Sequence, residues 1–198
     1  IGDRLAADLE AFRAAPAVPL EPCDKRTGRV SSLSLVRYCG NDYSVPTRYG
    51  YRHVQVKGYV DTVVIAHGGA VIARHTRSYD HGDFVFDPLH YLALLEQKTG
   101  ALDQAAPLQG WPLPAVFGEF RRLLEARQEK HGRREFVQVL RLLEVFPLAE
   151  VTAAIRDALD RGVLGFDAVK LLTLCRIERR PARLDLAGHP DLARTVVK

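Results

Sequence analysis

The chain has 198 residues, 26% of them charged and 47% hydrophobic, and its 28 Lys and Arg against 24 Asp and Glu give a formal charge of +4. That balance excludes wholesale disorder, where too little apolar surface is available to offset chain entropy. It also excludes a helical membrane span, because the longest apolar runs, 62–66 and 92–95, fall far short of about 20 residues.

The first 24 residues open on Leu5, Leu9 and Phe12 at helical spacing, then break at Pro16, Pro19 and Pro22. Prolines at that density favour extended chain, so 1–24 reads as a linker from an upstream domain. The chain has no Met, begins with Ile1 and carries no charged-then-apolar leader, which marks it as a fragment of a longer, non-secreted protein. Cys23, Cys39 and Cys175 are odd in number and widely spaced. They argue against a disulfide scaffold or a Cys-based zinc site and for a reducing cytoplasm.

From Val30 the period changes to two. Leu33, Leu35 and Arg37 alternate with Ser34, Val36 and Tyr38, and Gly40-Asn41-Asp42 supplies a turn before Tyr43 to Pro46. Val54 and Val56 share one face of the next strand, with His53, Gln55 and Lys57 on the other. Val63 to Ala66 and Ala70 to Ala73 flank His67-Gly68-Gly69, a hairpin signal, since glycines accept the positive φ that such turns need. Short strands at this density suggest a small barrel or half-open sandwich, and the expectation taken is a small antiparallel β-barrel over 25–80.

After Tyr79 the pattern turns helical. Asp87-Pro88 is a helix start, with Asp as cap and Pro at a position that needs no donor, and Leu89, Leu92 and Leu95 follow before Gly100. A second helix runs from Pro114 through Phe117, Phe120 and Leu124, with Gly132 just past its end. A third, from about Arg133, places Phe136, Val139, Leu140 and Leu143 at core spacing and stops at Pro147. A fourth carries Val151, Ile155 and Ala158 up to Gly162, and a fifth from about Asp167 carries Val169, Leu172 and Cys175. The expectation is an α+β chain: barrel, then a helical bundle over 87–180, then a polar, fraying tail over 181–198.

Charge is uneven along this plan. Residues 25–80 hold nine Lys and Arg against three Asp, a net +6 that leaves −2 for the rest, and six of the seven tyrosines lie there too. Cations interleaved with phenols suit a polyanion, since cations neutralise phosphates and phenols stack or donate hydrogen bonds. The same cations would also solvate the outer faces of an ordinary β-domain. Candidate phosphate contacts are Arg37, Arg48, Arg52, Lys57, Arg74 and Arg77, with Tyr49 and Tyr51 beside them. Strand parity points Lys57 outward, opposite Val54 and Val56, and places Arg52 at a strand start where it escapes past the rim.

No phosphate loop, dinucleotide fingerprint or nucleophile elbow occurs. Asp80, His81, Asp83, Asp87 and His90 are dense enough to suggest a metal, yet loop Asp and His ordinarily do turn and capping work. Trp111, between Gly110 and Pro112, reads as a plug in an interhelical groove or as a partner anchor. The basic runs 130–134 and 176–180 fall at helix ends, where positive charge suits a helix C-terminus or a phosphate.

Several stretches resemble the C-terminal part of IstA transposases, integrase-type enzymes of bacterial insertion sequences that also encode an ATPase helper, IstB. They are Asn41 to Pro46, Tyr51 to Tyr59, Asp83 to Leu92, Gly100 to Leu108, Val137 to Glu144 and Cys175 to Pro181. The resemblance implies a helix-turn-helix region and a ribonuclease-H-like core with an Asp/Asp/Glu metal triad upstream of Ile1. Residues 1–24 would then be the linker from that catalytic core. It further implies no catalytic residue and no cofactor in this chain, with a divalent metal such as Mg only in the upstream core. Implied partners are transposon-end or target DNA, other transposase protomers and an IstB-like helper, in the bacterial cytoplasm and with no membrane. The rival reading is a protein–protein interaction module without direct DNA contact, distinguished by whether the cations form one stripe or scatter.

Overall fold

The computed structural model describes residues 21–178. The expected Leu5–Phe12 helix and most of the linker, as well as Arg179, Arg180 and the 181–198 tail, lie outside the described residues.

Seven strands make two sheets: β1 (Asp24–Arg29), β2 (Leu35–Tyr38), β3 (Asn41–Ser44), β4 (His53–Gly58), β5 (Thr62–His67), β6 (Ala70–Thr76) and β7 (Phe84–Val85). The larger sheet has the order β1-β4-β5-β6 and is antiparallel throughout; the smaller has the order β2-β3-β7. Both contribute to one apolar core, with Val36, Tyr38 and Tyr43 from the small sheet meeting Val54, Val56, Val63 and Ile65 from the large one.

The expected barrel is corrected to these two open sheets, which share one core. The chain turns away between β1 and β2, where Ser31 N–H donates to the Leu35 carbonyl and Ser34 adopts φ 59°. After β6 the chain does not return to the β6 edge. Buried Asn41 holds it by donating to the Ser78 carbonyl (3.0 Å) and accepting from Asp83 N–H (3.0 Å), which delivers β7 parallel to β3.

The hairpin at Gly68-Gly69 is as expected, with φ of 56° and 85° closing the two-residue turn whose twist suits antiparallel strands. A second such turn is shifted by one residue from the sequence reading. Cys39 (φ 48°) and Gly40 (φ 88°) make it, while Asn41 and Asp42 already belong to β3. Leu33, expected in a strand, lies in the preceding turn and is exposed.

The helical part begins with a 3-10 turn, Pro88–Tyr91, capped by the Asp87 carboxylate accepting from Leu89 N–H at 3.0 Å. It continues as α1 (Leu92–Gln97), α2 (Ala115–Arg127), α3 (Glu129–Arg141), α4 (Leu148–Asp160) and α5 (Phe166–Ile177). Phe117, Phe120, Leu124, Val139, Leu140, Ile155 and Val169 fill its core, and Trp111 packs half-buried against them as a plug.

One boundary is corrected. Gly132 is not past the end of a helix but inside α3, and a Cβ there would strike the Leu124 carbonyl of α2. The basic run 130–134 therefore lies in the first turns of α3, where the helix dipole opposes positive charge. Carboxylates compensate: His131 lies 3.3 Å from Glu135, Arg133 3.6 Å from Glu125, and Arg134 3.9 Å from Glu96.

Candidate nucleic-acid interface

The larger sheet packs one face on the core; on the other, β1 and most outward residues of β4 and β6 are exposed, while Val64 and Ala66 of β5 are buried. Residues directly opposite in an antiparallel pair point to the same side, so the register assigns each cation a face. Val54, Val56 and Ile65 face the core. Their alternates on β4 and β5 point out, and so do Lys25, Thr27 and Arg29, which pair with Lys57, Gln55 and His53.

Lys25 stands opposite Lys57, Lys57 opposite Val64, and Val64 opposite Arg74. A row of three cations thus crosses four strands, a span of about 14 Å at ordinary strand spacing. Val64 shares this face between Lys57 and Arg74, yet is only 3% exposed.

Arg52 and Tyr51 lie at the end of this face, just before β4, and both are exposed. Tyr51 takes φ 63°, and the Arg29 guanidinium sits 6.0 Å from its ring centroid while Nε donates to the Tyr51 carbonyl at 3.3 Å. Arg48 and Tyr49 fall in a 3-10 turn, Thr47–Tyr49, with the guanidinium 5.0 Å from the Tyr49 ring. Tyr49 itself is half-buried against the sheet core and packs on His67.

Arg37 and Arg77 stand apart from this group. Arg37 projects from the smaller sheet and donates to the Gly40 carbonyl (3.2 Å). Arg77 is held inside the fold, donating to the Tyr59 carbonyl (2.8 Å) with its guanidinium between the rings of Tyr38 and Tyr79. The structure therefore brings Lys57, Arg74, Arg52 and Tyr51 together on or beside one face.

Lys25 and Arg29 complete that face, and sequence reasoning passed over them. They sit on β1, whose sequence Asp-Lys-Arg-Thr-Gly-Arg has no apolar residue to announce a strand. The alternation of Lys25, Thr27 and Arg29 was the signal that could have found them.

One carboxylate meets the row. Glu21 takes hydrogen bonds from Lys57 (2.9 and 3.1 Å) and from the Tyr59 hydroxyl, and lies 3.0 Å from the Lys25 ammonium. The Tyr59 hydrogen bond, then Lys57 and Lys25, hold its carboxyl down to about 2, and Glu21 in turn pushes the Tyr59 phenol up to about 12. The side chains of Arg52 and Arg74 have no hydrogen-bond or ion-pair partner among the described residues.

The helical part is different: Arg121, Arg133, Arg134, Arg141 and Arg176 are paired with acids of that same part. Arg141 bonds Glu96 (2.6 Å) and Glu144 (3.1 Å), Arg176 bonds Glu150 (3.1 Å) and Asp157 (3.2 Å), and Arg121 bonds Glu125 and Asp103.

A second polar cluster joins the two parts of the chain. Ser44 Oγ accepts from Asp87 N–H (2.8 Å) and lies 2.9 Å from His90 Nδ1, to which it donates in the tautomer that keeps the ring proton on Nε2, toward the Asp87 carboxylate. His90 Nε2 is 3.6 Å from Asp87 Oδ2, and His75 Nε2 donates to the Ser44 carbonyl at 2.6 Å. The Ser-His-Asp order invites a nucleophile reading. Ser44, however, is fully buried and its oxygen is engaged by the backbone, so the cluster is a structural joint. Burial lowers both histidines, His90 to about 4. Of the suggested metal cluster, Asp87 is thus a cap and Asp83 a strand contact, and no group of three His, Cys, Asp or Glu is placed to hold a metal among the described residues.

Residues 15–87 match the family described as Mu transposase, C-terminal domain. The chain is 35% identical over 143 residues to the transposase for insertion sequences IS1326/IS1353 of Pseudomonas aeruginosa, which is 70% of this chain and 27% of that protein. The protein of the same name from Shigella flexneri matches equally, and a transposase of Aminobacter aminovorans is 34% identical over 150 residues, 73% of this chain and 29% of that one. The chain spans a little over a quarter of the length of these curated relatives. No solved structure matches it.

Proposed function

Starting from a chain related to insertion-sequence transposases over most of its length, we propose that it is a non-catalytic C-terminal region of an IstA-type transposase that binds DNA phosphates through the outer face of its larger sheet. The observation that carries this is the contrast between the two parts of the chain. Among the described residues the cations on the sheet face form one stripe met by a single carboxylate, Glu21, whereas in the helical part Arg121, Arg133, Arg134, Arg141 and Arg176 are ion-paired with acids of that same part. A stripe about 14 Å across is comparable with the roughly 12 Å major groove, so its two sides can meet phosphates on both banks.

In this reading Lys25, Arg29, Arg52, Lys57 and Arg74 are the phosphate contacts, with Tyr51 and the Arg48–Tyr49 turn at the rim. Arg37 and Arg77 take structural roles. The metal-dependent chemistry belongs to the upstream core, and the transposon end or the target supplies the DNA. A groove of about 350 Å³ between the smaller sheet and the helices supports an assembly role for the helical part. Exposed Leu33, Phe84 and Leu94 line it. Another transposase protomer or an IstB-like helper in the cytoplasm is the partner we assign to that region.

Phosphate contacts position a protein without reading sequence, so binding should be weak, indifferent to sequence and steeply salt-dependent. With three or four phosphates neutralised, the log–log salt slope for duplex DNA should be about −3 to −4. Arg52→Ala with Arg74→Ala should flatten it by about 2 and weaken all sequences alike, because neither side chain is hydrogen-bonded or ion-paired to the described part of the fold. Fluorescence anisotropy across a salt series checks this. An unchanged slope in the double variant, or no binding at low salt, would return weight to a pure protein-interaction module.

A further inference from the structure

Lys25 and Lys57 are direct cross-strand neighbours on an exposed sheet face. Like charges so placed repel each other and destabilise the pairing unless an anion lies between them. Glu21 is that anion: its carboxylate touches both ammonium groups and the Tyr59 hydroxyl. It arrives on residues 21–23, which precede β1 and carry no regular secondary structure. Among the described residues their one local backbone bond runs from Cys23 N–H to the Glu21 carbonyl (2.9 Å), apart from the β1 ladder, so the carboxylate can swing away while that ladder stays intact.

Two ammonium groups and a phenol offer more donors and more positive charge than one carboxylate uses. A phosphate diester presents one negative charge and two free oxygens to the same donors, and ammonium-to-phosphate contacts release counterions that a tethered carboxylate does not. We infer that Lys25, Lys57 and Tyr59 form a phosphate-binding site on the sheet face, which Glu21 occupies from within the chain and which a nucleic-acid phosphate takes over by displacing it. The inference rests on the DNA-binding reading above and deepens it: Glu21 is a built-in competitor that keeps free protein from binding polyanions indiscriminately. The segment before β1 changes position when DNA arrives.

The test uses the full 198-residue chain in four forms: wild type, Glu21→Gln, Lys57→Gln and the double variant. Glu21 is exposed and glutamine keeps its shape, so the thermal melt of Glu21→Gln should fall only slightly, by the loss of the exposed anion between Lys25 and Lys57. Against a duplex at about 50 mM salt, Glu21→Gln should bind about fivefold more tightly, with a slope steeper by about 1 to 2, because two lysines are released for phosphate. In the Lys57→Gln background the same change should yield little gain. A gain of equal size in both backgrounds would show a mere net-charge effect and overturn the site while leaving DNA binding intact. The second arm titrates inorganic phosphate while the Lys25 and Lys57 ammonium resonances are followed by NMR. They should shift at lower phosphate in Glu21→Gln than in wild type. If no form binds duplex but this shift appears, the anion site stands and the DNA reading falls; if neither lysine responds in Glu21→Gln, the site itself is overturned.

Discussion

Between about pH 7 and pH 4 the folded state should lose about 3 kcal/mol through proton uptake at His90, beside His75. His90 is neutral in the joint between the sheets and the helices, its side chain 9% exposed and its Nδ1 accepting from Ser44. Burial is the main cause that lowers it from 6.5 to about 4; the nearby Asp87 carboxylate works against this, and neighbouring His75 adds to it. The unfolded chain therefore takes up the proton first. The contribution is complete above pH 6.5, declines as the pH falls below that value, and is spent near pH 4. His75 acts in the same direction, because its ring is also buried.

Protonation also reverses a hydrogen bond. A proton on Nδ1 leaves two donors, the Ser44 hydroxyl and the imidazolium, facing each other across 2.9 Å, so the serine must find another acceptor inside the core. Urea unfolding at about pH 7, 5.5 and 4.5 measures the effect. His90→Asn, which keeps an acceptor near Ser44 but does not titrate, should lose much less stability over the same range. Parallel pH curves for the two proteins would rule out His90 as the responsible group.

Gly132→Ala should cost about 2 kcal/mol, although alanine is the better helix former by about 1 kcal/mol. Gly132 lies in α3 where it crosses α2, and the added methyl would meet the Leu124 carbonyl carbon and oxygen and the Glu125 nitrogen. Those are backbone atoms inside a helix, unable to rotate aside, so the two helices must separate around buried Leu124. The neighbouring Gly118 is the control: in α2, with nothing within 4 Å of an added Cβ, its alanine variant should be stabilising by up to about 1 kcal/mol. Opposite signs for the two substitutions in thermal or urea melts are expected. A neutral or stabilising Gly132→Ala would mean that the α2–α3 crossing is looser than described.

Both results depend on contacts between distant parts of the chain, and that is where the sequence ceased to be informative. Local patterns determined much. Alternating Val54 and Val56 against His53, Gln55 and Lys57 placed the core face of β4, and Gly68-Gly69 placed its hairpin. Asp87-Pro88 marked a capped start, and the apolar spacing from Phe117 to Leu172 gave the order of the helices. In each case the physical determinant is a side-chain period or a backbone preference within a few residues.

The tertiary structure decided what such periods cannot encode. β1 is a strand because the free edge of β4 offers it backbone partners, and its six polar or glycine residues carry no hydrophobic period. β7 is two residues long and pairs only because Asn41 holds the preceding loop. That loop also leaves the two sheets open instead of closing a barrel. The candidate site followed the same division. Net charge and tyrosine content singled out the segment, but register alone put Lys25 opposite Lys57 and Arg74 in their row, and it took Arg77 inward to the Tyr59 carbonyl. A cation's type is fixed by its codon, whereas its face is fixed by the hydrogen-bond pairing of strands far apart in sequence.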